Sequence, residues 1–269
     1  MNNNVLDNEP YKFPTKVINP ANKKTYFVYN ISDGMDNWSQ RRSQYEYVYK
    51  DYKTNGYSFC NVHTIAMGLI YTGVYDKYKK EIDAKYPELV RFPDKLAKFM
   101  IEDKISREYF KKRFPDLSKN FEDGKSTKET YSPNEVHNSL SYLTNRFLDI
   151  GNVTFFSTHT SWLEIINDII YRGTPVGVSG RFCNMDHIVL IVGFAYEKLE
   201  NDNEPGEYQI PDYVIIDDPF GNMNKGYKAG TSGNDISIPF RKFSDQLKPL
   251  NSPQFKFAHR FIRPEYLGF

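Results

Sequence analysis

Apolar positions recur at helical spacing through much of the first two thirds of the chain, and short β-branched runs take over after Pro175. A short strand is expected at Tyr26–Ile31, whereas Trp38 to Tyr57 is polar and aromatic without a clean period and reads as irregular. A helix is expected to begin near Cys60. Ser58 suits its N-cap, Cys60, Ile65, Leu69 and Ile70 fall near one face, and Gly73 follows the last periodic residue. Charged helical stretches follow near Lys77 to Tyr86 and Asp94 to Phe114. Two more helices open on capping boxes, Ser132-Pro133-Asn134-Glu135 and Ser161-Trp162-Leu163-Glu164, the first with proline at the first helical position and the second ending at Gly173.

Beyond Pro175, PVGVS, HIVLIVGFA and YVIID are bounded by Gly, Asn, Asp and Pro, as strands are. The run His187 to Ala195 is almost continuously apolar, which predicts a strand buried on both faces. A last strand is expected at Phe257 to Ile262. Helices first and strands afterwards imply an α+β fold, with the helical part packed on an antiparallel sheet. No repeat or low-complexity linker divides the chain. Residues 1–37 read as an extended N-terminal arm, and 38–269 as one domain with a helical insert around 77–149.

Composition narrows the function classes. With 269 residues, 39% of them hydrophobic, the chain can bury a substantial core. Lys plus Arg is 35 against 34 for Asp plus Glu, a formal net charge of +1, so no nucleic-acid partner is expected. No apolar stretch approaches the roughly 20 residues that span a bilayer. The opening MNNNVLDNEPYKFP lacks a basic region followed by an apolar one, so synthesis in the cytoplasm without a signal peptide is expected, and export would take another route. In that setting the two cysteines, Cys60 and Cys183, read as free thiols. No feature of the pattern specifies an oligomeric state.

Cys60 is the first candidate for chemistry, because a thiol in the first turn of a helix sits where the anion is favoured. A nucleophile needs a base. His63 lies on the same helix, His137 on a polar helix surface, His159 in a turn and His259 in the last strand, and all four read as structural or exposed. His187 instead opens the most apolar strand, directly after the turn Cys183-Asn184-Met185-Asp186. The base in turn needs an acceptor to fix its tautomer, and Asp217 or Asp218, at the end of Tyr213 to Ile216, can supply one. Cys183-x-x-x-His187 lacks a second ligand pair, so no metal is expected. Neither GxGxxG nor GxxxxGK[ST] occurs, and no cofactor is expected.

Three segments together resemble the papain-like cysteine peptidase superfamily, and most closely the bacteriocin-processing, double-glycine leader peptidases. They are Tyr57-Ser58-Phe59-Cys60-Asn61-Val62-His63-Thr64-Ile65-Ala66-Met67, Asp186-His187-Ile188-Val189-Leu190-Ile191-Val192-Gly193-Phe194, and Val214-Ile215-Ile216-Asp217-Asp218-Pro219-Phe220-Gly221. In that group a cysteine opens a helix, a strand of the form His-hydrophobic-Gly-aromatic carries the base, and an Asp-Pro strand end carries the orienting acid. The resemblance therefore selects Asp218 over Asp217 and implies a papain-like fold. It further implies an oxyanion-hole glutamine upstream of the cysteine, for which Gln40, in Trp38-Ser39-Gln40, is the choice and Gln44 the second. The chain departs from the group in having Asn61-Val62 where Gly-Pro usually follows the cysteine. The implied activity is hydrolysis of peptide or amide bonds. A likeness to phage or prophage lysins points to the peptide part of bacterial peptidoglycan, with release to the cell wall. The alternatives are a non-catalytic binding module on the same fold, or an effector acting on a host protein.

Overall fold

A computed structural model of the chain describes residues 10–32, 46–49, 52–55, 60–113, 133–151, 153–199, 209–247, 249–250 and 252–266. The fold is α+β, and all of its recorded strand pairings are antiparallel.

The centre of the main sheet is β7 (Met185–Glu197). Its first half pairs with β6 (Val176–Phe182), its second half with β2 (Thr25–Asn30), and its other edge with β8 (Tyr213–Asp217). Beyond β8 lies β9 (Ile236–Pro239), and beyond β2 lies β1 (Thr15–Ile18). On the far side of β6, β11 (Ser252–Phe261) pairs with β6, with β5 (Phe155–Thr160) and with β10 (Pro249–Leu250). Within the segment read as an arm, β1 and β2 are strands of this sheet, β2 being hydrogen-bonded to β7.

Apolar side chains leave β7 on both faces, as the unbroken run predicts. Leu190 and Val192 join one buried cluster, while Val189, Ile191 and Phe194 join another. The first cluster is covered by α1 (Cys60–Tyr71), α4 (Phe92–Glu102) and α6 (Pro133–Leu148). The second is covered by α7 (Trp162–Ile170) and α8 (Phe240–Gln246). Each fully buried Leu, Ile, Phe or Met contributes about 1.5–3 kcal/mol, so these two clusters hold the layers together.

The helix limits follow local chemistry. Gly73 takes φ 78° after α1, the left-handed geometry in which glycine ends a helix. Ser161 and Glu164 form the expected capping box at the start of α7. The stretch expected near Lys77 to Tyr86 is two short helices, α2 (Val74–Lys77) and α3 (Lys79–Ala84). The stretch Asp94 to Phe114 is also divided, into α4 and α5 (Lys104–Arg113). Asp103 stands between them, and its Oδ2 accepts the Ser106 N–H and hydroxyl, both at 2.8 Å, capping the second helix. Part of the segment read as irregular is a hairpin, β3 (Glu46–Tyr49) with β4 (Tyr52–Asn55). His159 lies in β5 and not in a turn. Among the described residues no helix is long and apolar enough to cross a membrane.

Candidate active site

Cys60 is the first residue of α1 and is partly buried. The helix is fixed against the sheet by packing and by the Thr64 hydroxyl, which donates to the Ile188 carbonyl at 3.3 Å. That contact brings the start of α1 to the start of β7, where His187 is the third residue. Register explains the position of His187. Phe182 pairs with Met185 across a two-residue turn, Cys183 (φ 48°) and Asn184 (φ 65°), and His187 pairs with Gly180. Positive φ at both turn positions matches the right-handed twist of the flanking strands.

Asp218 follows β8 directly and is fully buried. Leu190 pairs with Asp217, so the chain just past β8 runs beside the first residues of β7. His187 Nε2 and Asp218 Oδ1 stand 2.7 Å apart. With the Asp218 carboxylate as acceptor, Nε2 carries the proton and Nδ1 is left as the ring's accepting nitrogen, and Cys60 lies near enough to act on the charge of the ring. Burial alone would push the imidazole pKa down. The hydrogen bonds and charges of Asp218 and Cys60 outweigh it and hold the imidazolium to about 10.

The carboxylate is itself well held. Oδ1 also accepts the Phe220 N–H at 2.8 Å, and Oδ2 accepts the Tyr227 hydroxyl at 3.0 Å. The Asp218 N–H donates to the Gly233 carbonyl at 2.8 Å. Phe182, Phe220 and Tyr227 set their rings edge-on to the imidazole, with centroids 6.0–6.4 Å away. A thiol near an imidazole that a buried carboxylate holds from behind is an arrangement able to activate a sulfur nucleophile.

Asp217 points elsewhere. Its Oδ2 accepts the Tyr71 hydroxyl and its Oδ1 the Asp235 N–H at 2.8 Å, and burial pushes its pKa up to about 7. Of the two candidate carboxylates, Asp218 is therefore the one that meets the histidine. Gln40 and Gln44 lie outside the described residues, as does Ser58. His63 and His259 are fully buried, and His259 Nδ1 lies 2.8 Å from the Ser157 hydroxyl. Cys183 is exposed on the hairpin turn, and among the described residues no three His, Cys, Asp or Glu side chains are grouped to hold a metal ion.

Tyr227 escaped the sequence reading. It sits in a polar, glycine-rich loop with no period, and its only signal is an aromatic residue isolated in that loop. No family model and no curated protein matches this chain, and no solved structure matches its fold.

Proposed function

We propose that the protein is a papain-like cysteine hydrolase that cleaves peptide or amide bonds. The observation supporting this reading is the 2.7 Å contact of His187 Nε2 with buried Asp218, with Cys60 near enough to act on the same ring. The Cys60 sulfur, as thiolate, adds to the substrate carbonyl carbon. His187, as imidazolium, then gives its proton to the leaving amine as the C–N bond breaks, and a thioester remains. His187 next takes a proton from water, the resulting hydroxide attacks the thioester, and the thiolate leaves. Asp218 holds the ring in one orientation and balances its charge throughout. The Cys60 N–H at the start of α1, with the Gln40 side chain in the role the resemblance implies, would stabilise the oxyanion, by about 3 kcal/mol per donor.

Cys60→Ala tests the mechanism. The variant is expected to fold and to lose hydrolysis; undiminished turnover by a folded Cys60→Ala protein would falsify it. Within this reading the substrate is the peptide part of bacterial peptidoglycan, reached after release to the cell wall. Zymography decides that point: clearing of embedded cell walls is expected, and clearing of a protein substrate alone would identify an ordinary peptidase.

A further inference from the structure

The loop after Asp218 sends one aromatic side chain back into the site, at a backbone position that disfavours it. Asn224, Lys225, Gly226, Lys228, Ala229 and Gly230 are all exposed, while Tyr227 between them is 7% exposed. Its φ is 58°, in the left-handed region where glycine or asparagine rests easily and a bulky side chain is strained. The loop enforces that geometry: Met223–Lys225 forms a 3-10 turn, Gly226 N–H donates to Met223 at 3.0 Å, and Tyr227 N–H donates to Asn222 at 3.0 Å. Strain of this kind persists where the surrounding structure holds it, and it concentrates at sites where the side chain is used.

What the strained position delivers is specific. The Tyr227 hydroxyl donates to Asp218 Oδ2 at 3.0 Å, while Asp218 Oδ1 faces His187. The ring also lies edge-on to both the imidazole and Phe220, at 6.0 and 5.1 Å. Burial, and then the Asp218 charge, push the phenol pKa up, so the hydroxyl remains a donor at every working pH.

We infer that Tyr227 is a positioning residue, which fixes the rotation of the Asp218 carboxylate so that Oδ1 stays aimed at His187 Nε2. A carboxylate held at one oxygen can pivot, and one held at both cannot. Tyr227 touches no reacting atom and acts through Asp218. Its contribution to rate rests on the hydrolase reading above, whereas its effect on the Asp218–His187 contact does not.

Tyr227→Phe removes the hydroxyl and keeps the ring. In the purified full chain, the downfield Nε2–H proton resonance of His187 is expected to broaden or move. With a peptide substrate, kcat is expected to fall about 10-fold, the loss of one hydrogen bond to a charged group, with KM unchanged. In an Asp218→Asn background the same change is expected to cost nothing further, because the residue it acts through is already disabled. An unchanged resonance in Tyr227→Phe overturns the inference, as does a loss of kcat that adds in full to that of Asp218→Asn. If the wild-type protein cleaves nothing, the hydrolase reading falls, and the resonance alone decides the role of Tyr227.

Discussion

Tyr71 and Asp217 join the last residue of α1 to the last residue of β8, through a hydroxyl that donates to the carboxyl Oδ2. The same helix opens with Cys60, and the residue after Asp217 is Asp218. One buried contact thus ties the element carrying the thiol to the element carrying the acid. Tyr71→Phe leaves a buried acceptor without this donor and is expected to cost about 1–3 kcal/mol in urea unfolding. Unchanged stability would show that the contact does not hold α1 against β8.

Asp217 also sets a pH dependence. Its folded pKa of about 7 lies above its ordinary 3.8, so between these values the native state binds the proton and the unfolded state does not. Stability therefore drains away as pH rises from about 3.8 to about 7. Asp217→Asn is expected to flatten the fall of Tm across that window. A fall as steep as in the wild type would show that Asp217 titrates normally.

His187 acts in a higher window with the same sign. Its folded pKa of about 10 exceeds the ordinary 6.5, so its stabilising effect is complete below 6.5 and disappears as pH rises through about 10. If the imidazolium is the working form, hydrolysis should also fail on the alkaline side near pH 10. Asp218→Asn removes the strongest support for the imidazolium and is expected to bring that limb down in pH, alongside a loss of kcat. A pH–rate profile with an unmoved alkaline limb would remove His187 from the proposed mechanism.

Gly233 is where the Asp218 turn is most crowded. A Cβ at this position would stand 1.9 Å from the Asp218 carbonyl oxygen and 3.1 Å from that of Gly221, both backbone atoms that cannot swing aside. Gly233→Ala is expected to destabilise the protein by about 1–3 kcal/mol and to lower the rate by displacing Asp218. Wild-type Tm together with wild-type turnover would contradict this packing.

Where one segment carried its own signal, sequence and structure agree. Ser161 and Glu164 are three residues apart and cap α7 without outside help. The apolar runs of β6, β7 and β8 are long and β-branched, and Cys60, His187 and Asp218 stand at element ends beside them. What escaped depends on partners distant in sequence. β5 reads Phe-Phe-Ser-Thr-His-Thr, too polar to look like a strand until Thr160 meets Lys256 of β11. The break at Asp103 comes from one side chain folding back on Ser106, which hydrophobic periodicity does not register. Tyr227 belongs to no periodic element, and its value exists only once Asp218 is beside it.

The antiparallel pairing of β7 with β8 has a consequence in time. During synthesis Cys60 leaves the ribosome 127 residues before His187 (187 minus 60), and Asp218 follows 31 residues later still (218 minus 187). For most of translation the thiol has neither base nor acid beside it, and α1 has no sheet to rest on. The nascent chain thus carries the three groups of the site unassembled, and they meet only when β7 and β8 zip together.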